Sequence, residues 1–133
     1  MTTRYRATFT SDLRNVALAR KSIAGFASVC GFTEPDIADI RLAAGEALSN
    51  AVEHGRSPRS SGFTVSCIFD DDQLTIEVRD SGGGFTLPPD RAAAEPDERG
   101  RGFGIFLMRR LMDDVVIDSN AKSVRLIRRR CAP

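Results

Sequence analysis

Between residues 33 and 55 the chain carries two helical patterns at once. Ile37, Ile40, Ala44, Ala47, Leu48 and Ala51 recur at the three- and four-residue spacing of one buried face. Glu46, Asn50 and His54 recur every four residues, a spacing that drifts by only roughly 40° per step and so lines up a polar stripe. Thr33-Glu34-Pro35-Asp36 predicts the start, with a hydroxyl cap, a proline in the first turn and early acids suited to the helix dipole, and Gly55 predicts the stop. Such a helix must lay its apolar face on another layer. Its polar stripe can then act on a single ligand.

The rest of the chain supplies that layer. Tyr5, Ala7 and Phe9 alternate with Arg4, Arg6 and Thr8 as in a half-buried strand. Ser11 is the expected N-cap of a first helix, in which Val16, Ala19, Ile23, Phe26 and Ala27 face the core up to a stop at Gly31. Residues 63–69 and 74–78 flank Asp70-Asp71-Asp72-Gln73 and read as a hairpin, with Asp80 just beyond its second strand. Residues 86–99, with Pro88, Pro89 and Pro96, read as a lid between two glycine clusters. A third helix over 104–112 and short strands over 115–117 and 124–127 complete the pattern. This order predicts an α+β fold: a two-layer sandwich with a mixed, mostly antiparallel sheet and helices on one face.

At 133 residues the chain fits one domain, 1–133. A net charge of +1 gives no global electrostatic case for nucleic acid or an anionic membrane. The 17 Arg against 2 Lys reflect genome composition rather than ligand chemistry, and Arg128-Arg129-Arg130 reads as a solvated tail. Cys30, Cys67 and Cys131 have neither CxxC pairing nor zinc spacing, so the first two are expected in the core and the last as an exposed thiol in a reducing compartment. With no apolar segment at the N-terminus and no membrane-length stretch, a cytoplasmic location is expected.

Chemistry enters through three separated elements. Asn50 can offer an amide oxygen to magnesium, and Glu46, one turn earlier, can take a proton from an attacking hydroxyl or water. His54, the sole histidine, fits either a partner for the helix C-terminal dipole or a phosphate contact. Asp80, followed by Gly82 and Gly84, fits a carboxylate that accepts from an adenine amino group while the base lies close to the backbone. An ordinary Asp-Ser-Gly turn fits it too. Gly100-Arg101-Gly102-Phe103-Gly104 opens the third helix with unshielded amides and positive charge, a place for phosphates. It lacks the GKS or GKT ending of a Walker A loop and the βαβ context of a dinucleotide fingerprint.

Taken together, E-x-x-x-N-x-x-x-H, D-x-G-x-G and G-x-G-x-G resemble the N box and the two glycine boxes of the GHKL ATPase superfamily. The runs Glu46 to Gly55 and Gly100 to Met108, followed by Leu111-Met112-Asp113-Asp114-Val115, are most similar to the bacterial anti-sigma-factor serine/threonine kinases. The resemblance implies a Bergerat-type sandwich that binds ATP and magnesium under a mobile lid. It implies Asn50 as magnesium ligand, Glu46 as catalytic base, Asp80, Gly82 and Gly84 around adenine, and Gly100, Arg101, Gly102 and Gly104 around the phosphates, with Phe103 and His54 expected among the nucleotide-binding residues. It further implies phosphorylation of a STAS-domain anti-anti-sigma protein, and sequestration of a sigma factor by a homodimer. Gly83, which makes the adenine turn a run of three glycines, is a departure from the pattern.

Two other readings use the same boxes. One is a nucleotide-gated binding module without phosphotransfer. The other is a stand-alone histidine-kinase-like ATPase domain, although the only histidine lies inside the nucleotide motif.

Overall fold

A computed structural model of the chain describes residues 2–54, 62–80, 103–118, 120 and 122–131. In chain order its elements are β1 (Thr3–Phe9), α1 (Leu13–Val29), α2 (Glu34–His54), β2 (Phe63–Asp70), β3 (Gln73–Asp80), α3 (Phe103–Leu111), β4 (Asp114–Asp118) and β5 (Ser123–Arg129). The predicted Gly55 stop, the glycine-rich turn after Asp80 and the 86–99 lid lie outside the described residues.

The strands form one sheet in the order β1-β2-β3-β5-β4. All four pairings are antiparallel, rather than mixed. Register explains which face is buried. Ala7, Val65, Val78, Val124 and Ile117 make one continuous row across the sheet, and Tyr5, Cys67, Ile76, Leu126 and Val115 the next. These rows are largely buried and share one core with the apolar faces of α1 and α2. α1 lies against β1 and β2, α2 against β3 and β5. The intervening rows, such as Arg6, Ser66, Glu77 and Arg125, face away from the helices, where Glu77 bridges Arg79 at 3.4 Å and Arg125 at 3.5 Å. The expected α+β sandwich is present.

Local chemistry sets the ends of the elements. α1 is capped by Asp12 and not by Ser11. Asp12 sits in extended backbone (φ −141°, ψ 136°), and its side chain accepts from the Arg14 N–H at 2.8 Å. At the other end Gly31 has φ +88°, a conformation that suits a residue without a Cβ. The Gly31 N–H bonds the Ser28 carbonyl and the Phe32 N–H the Ala27 carbonyl, a Schellman arrangement closed by the buried Phe32. Thr33 caps α2: its Oγ1 accepts from the Asp36 N–H at 3.4 Å and its carbonyl from the Ile37 N–H at 2.9 Å. Asp71 and Asp72, at φ 52° and 60°, form the two-residue turn that pairs Asp70 with Gln73.

In α2, Ile37, Ile40, Ala44, Ala47, Leu48 and Ala51 are all buried, as the helical spacing predicts. Truncating Leu48, which is wholly buried, would cost about 2–5 kcal/mol. Cys30 and Cys67 are buried free thiols and Cys131 is exposed. Burial, with Cys30 adding to it, pushes the Cys67 thiol up to about 12.

The arginines near the C-terminus are not a solvated tail. Arg128 and Arg129 belong to β5, which extends two residues past the predicted strand end. The Arg130 N–H donates to the Asp72 carbonyl at 2.7 Å, and its guanidinium donates to the Cys30 carbonyl at 2.7 Å, pairs with Asp72 and lies 5.0 Å from the Phe69 ring centroid. Alternation along β5 explains the rest: Arg128 falls on the same side as Leu126 and faces the helix layer.

Candidate functional site

The stripe of α2 that carries Glu46 and Asn50 faces the beginning of α3. Both side chains are half-buried. Gly104 is the second residue of α3, and a Cβ added there would stand 3.0 Å from Glu46 Oε2 and 3.7 Å from Asn50 Nδ2. The carboxylate and the amide therefore meet the first turn of a helix whose leading N–H groups have no intrahelical acceptor. That first turn contains no acid, and Arg109 and Arg110 lie in the last turn. This charge pattern suits the N-terminal end of the α3 dipole to negative charge, and the Glu46 carboxylate is the described anion beside it.

Asp80 is buried, with only 2% of its surface exposed. It is the last residue of β3 rather than a residue beyond it, and it pairs with Phe63 while its N–H donates to the Lys122 carbonyl at 2.9 Å. Two positions past Val78, it falls on the helix-facing side of the sheet, where the apolar rows end. A carboxylate on that face can accept a hydrogen bond from a group entering between sheet and helices. Of the sequence-predicted residues, Glu46, Asn50 and Gly104 are thus brought together, and Asp80 lies at the β3 end of the helix-facing side of the sheet. His54 is the last residue of α2 and Phe103 the first of α3. Gly82, Gly84, Gly100, Arg101 and Gly102 lie outside the described residues, as do the side chains of His54 and Phe103.

Among the described residues, no group of three or more His, Cys, Asp or Glu could hold a metal ion. A single amide oxygen, from Asn50, suits a magnesium ion that takes its remaining ligands from phosphate and water, the usual habit of that ion at nucleotide sites. No helix among the described residues is long and apolar enough to cross a membrane.

One residue outside the motifs touches the same helix pair. The Arg128 guanidinium donates to the Leu111 carbonyl at the end of α3 and to Asp36 Oδ1, at 2.7 Å, near the start of α2. The strand parity that places it beside Leu126 is visible in the sequence, but the run of three arginines obscured it.

Comparison with known proteins gives the family and the fold. The family described as "Histidine kinase-like ATPase domain" matches residues 9–128. The serine-protein kinase RsbW of Listeria monocytogenes serotype 4a (strain HCC23) is 36% identical over 109 residues, covering 75% of this chain and 69% of that protein. The anti-sigma F factor of Clostridium acetobutylicum is 31% identical over 125 residues, covering 90% of this chain and 87% of that protein. A crystal structure of the RsbU and RsbW domains of a Mycobacterium tuberculosis protein superposes with a TM-score of 0.74 at 21% identity. It covers 98% of this chain and 33% of that longer one, and so supports the fold. The chain belongs to the histidine kinase-like ATPase family, in the group that includes serine-protein kinases and anti-sigma factors.

Proposed function

We propose that this chain is an ATP-dependent serine/threonine protein kinase that acts as an anti-sigma factor in a partner-switching pathway. Its substrate in this reading is a STAS-domain anti-anti-sigma protein, and its second partner is a sigma factor held by a homodimer of the kinase. The observation that carries the proposal is the meeting of Glu46 and Asn50 with the first turn of α3 at Gly104. It supports the reading because a carboxylate suited to a base, an amide suited to a metal ion and a helix start suited to an anion meet there.

In this arrangement Asp80 accepts a hydrogen bond from the adenine amino group, with Gly82 and Gly84 beside the base. The phosphates lie toward α3, against Gly100, Arg101, Gly102, Phe103 and Gly104, with His54 on the same side. Asn50 would hold a magnesium ion, which would supply neutralisation of phosphate charge. Glu46 accepts the proton of a substrate serine or threonine hydroxyl as its oxygen bonds to the γ-phosphorus. The bond from that phosphorus to the β–γ bridging oxygen breaks, and ADP leaves.

Terminally labelled ATP and magnesium, added with the purified chain to host lysate, should give a small, acid-stable labelled protein. The Glu46→Ala variant should bind ATP but lose transfer by about 10²- to 10⁴-fold. Undiminished transfer by that variant would remove Glu46 from the mechanism. ATP binding without any label, even with wild type, would favour the nucleotide-gated binding module.

A further inference from the structure

α2 and α3 run antiparallel and are joined at both ends. At one end Gly104 lies against Glu46 and Asn50. At the other, the guanidinium of Arg128 donates through Nη1 to the Leu111 carbonyl, and through Nη2 to Asp36 Oδ1 at 2.7 Å and Asp39 Oδ2 at 3.4 Å. Between the joints, Gly104 to Leu111 spans seven residues of α3, a rise of about 10 Å, and Asp36 and Asp39 lie ten and seven residues before Glu46 on α2, a rise of about 10–15 Å.

From this we infer that Arg128 is a positioning residue for the nucleotide site. It fixes the far end of α3 on α2, so that the N-terminus of α3 is presented to the phosphates in register with Glu46 and Asn50. The inference rests on the reading of this site as ATP-binding.

The chemistry suits the task. Arg128 approaches from β5 with 18% of its side chain exposed, between Asp36 and Asp39 at 21% and 42%. A planar guanidinium can serve two directions at once, which the point charge of a lysine ammonium cannot do in the same geometry. Its positive charge also meets the carbonyl end of α3, where the helix dipole favours a cation. α3 has nine residues, and its apolar hold on the core is through Ile105 and Met108, with Leu111 partly buried beside them, all on one face. One apolar face resists separation better than it resists tilting. A tilt of about 10° about the Leu111 end, over about 10 Å of helix, moves the α3 N-terminus by about 2 Å. Displacements of that size at a reacting group are costly.

The test compares ATP, which reaches from Asp80 to α3, with adenosine, which engages the Asp80 end alone. Affinities of wild type, Arg128→Met and Arg128→Lys for both ligands are measured by titration calorimetry with magnesium, alongside thermal unfolding. We expect Arg128→Met to lose about ten-fold or more in ATP affinity while adenosine changes by less than about two-fold, and Arg128→Lys to recover part of the loss. Asp36→Asn, which weakens the same joint from the α2 side, provides a second variant should Arg128→Met fail to fold, and should show a smaller ATP-selective loss. Unchanged ATP affinity in a folded variant, or an equal fall for ATP and adenosine, would overturn the positioning role. A wild type that binds neither ligand would overturn the ATP-site reading itself, and this inference with it.

Discussion

Gly104 and Glu46 stand so close that a methyl group on the first would press on the carboxylate of the second, 3.0 Å from Oε2. The contact gives a reason for a residue without a side chain at the second position of α3, although glycine is a poor helix former. Gly104→Ala should gain up to about 1 kcal/mol of helix propensity. It should also push the Glu46 carboxylate aside by a few tenths of an ångström and crowd the place where a phosphate would approach. The expected outcome is an unchanged or raised unfolding midpoint together with phosphotransfer lowered by about 10²-fold. Thermal melts and labelled-ATP transfer on the same preparation check both halves. Full transfer by this variant would show that the Glu46 carboxylate need not hold its present place.

Asp80 is a buried acid at the end of an otherwise apolar set of rows. In the proposed reading its carboxylate accepts from the adenine amino group, and Asp80→Asn preserves shape while turning half of the acceptor into a donor. ATP affinity should fall by about ten- to a hundred-fold, the worth of a hydrogen bond to a charged acceptor. Inosine triphosphate, which offers a carbonyl oxygen where ATP offers the amino group, should gain relative to ATP. Competitive titration of the two nucleotides on wild type and variant measures the ratio. A variant that keeps the wild-type preference would leave Asp80 without a role in reading the base.

The extent to which this molecule was legible in its sequence followed the range of the forces involved. Periodicity is local, so the buried face of α2 and the alternation in β1 could be read directly, and the spacing of Glu46 and Asn50 predicted their shared stripe. The sheet order was not legible, because placing β5 between β3 and β4 depends on pairings between residues such as Glu77 and Arg125, far apart in the chain. Ser11 and Asp12 are both good caps, and only the extended backbone at Asp12 and its bond to the Arg14 N–H separate them. The arginine run misled for a related reason. Like charges in a row suggest solvent, but strand parity turns Arg128 inward, where Asp36 and Asp39 are supplied by a helix about ninety residues earlier. For Glu46, Asn50 and Gly104, the sequence predicted the type of residue and the fold supplied their meeting.

The Asp12 cap gives the stability of α1 a defined pH dependence. Hydrogen bonds from the Arg14 side chain and then the Arg14 N–H hold the Asp12 carboxyl down at about 2, below its ordinary 3.8. A depressed folded-state value means that the stabilising contribution is present above the unfolded value and disappears as pH falls through the folded one. The window therefore runs from about 3.8 down to about 2. Asp12→Ala should be less stable than wild type at pH 6, and the gap should narrow below pH 4 and close near pH 2. Added salt should weaken the Arg14 side-chain pair, which is open to solvent, more than the bond to the backbone N–H. Urea midpoints for wild type and variant across this range, at low and high salt, measure the gap. A difference that persists undiminished at pH 2 would mean that Asp12 stabilises the helix start by packing and not by its charge.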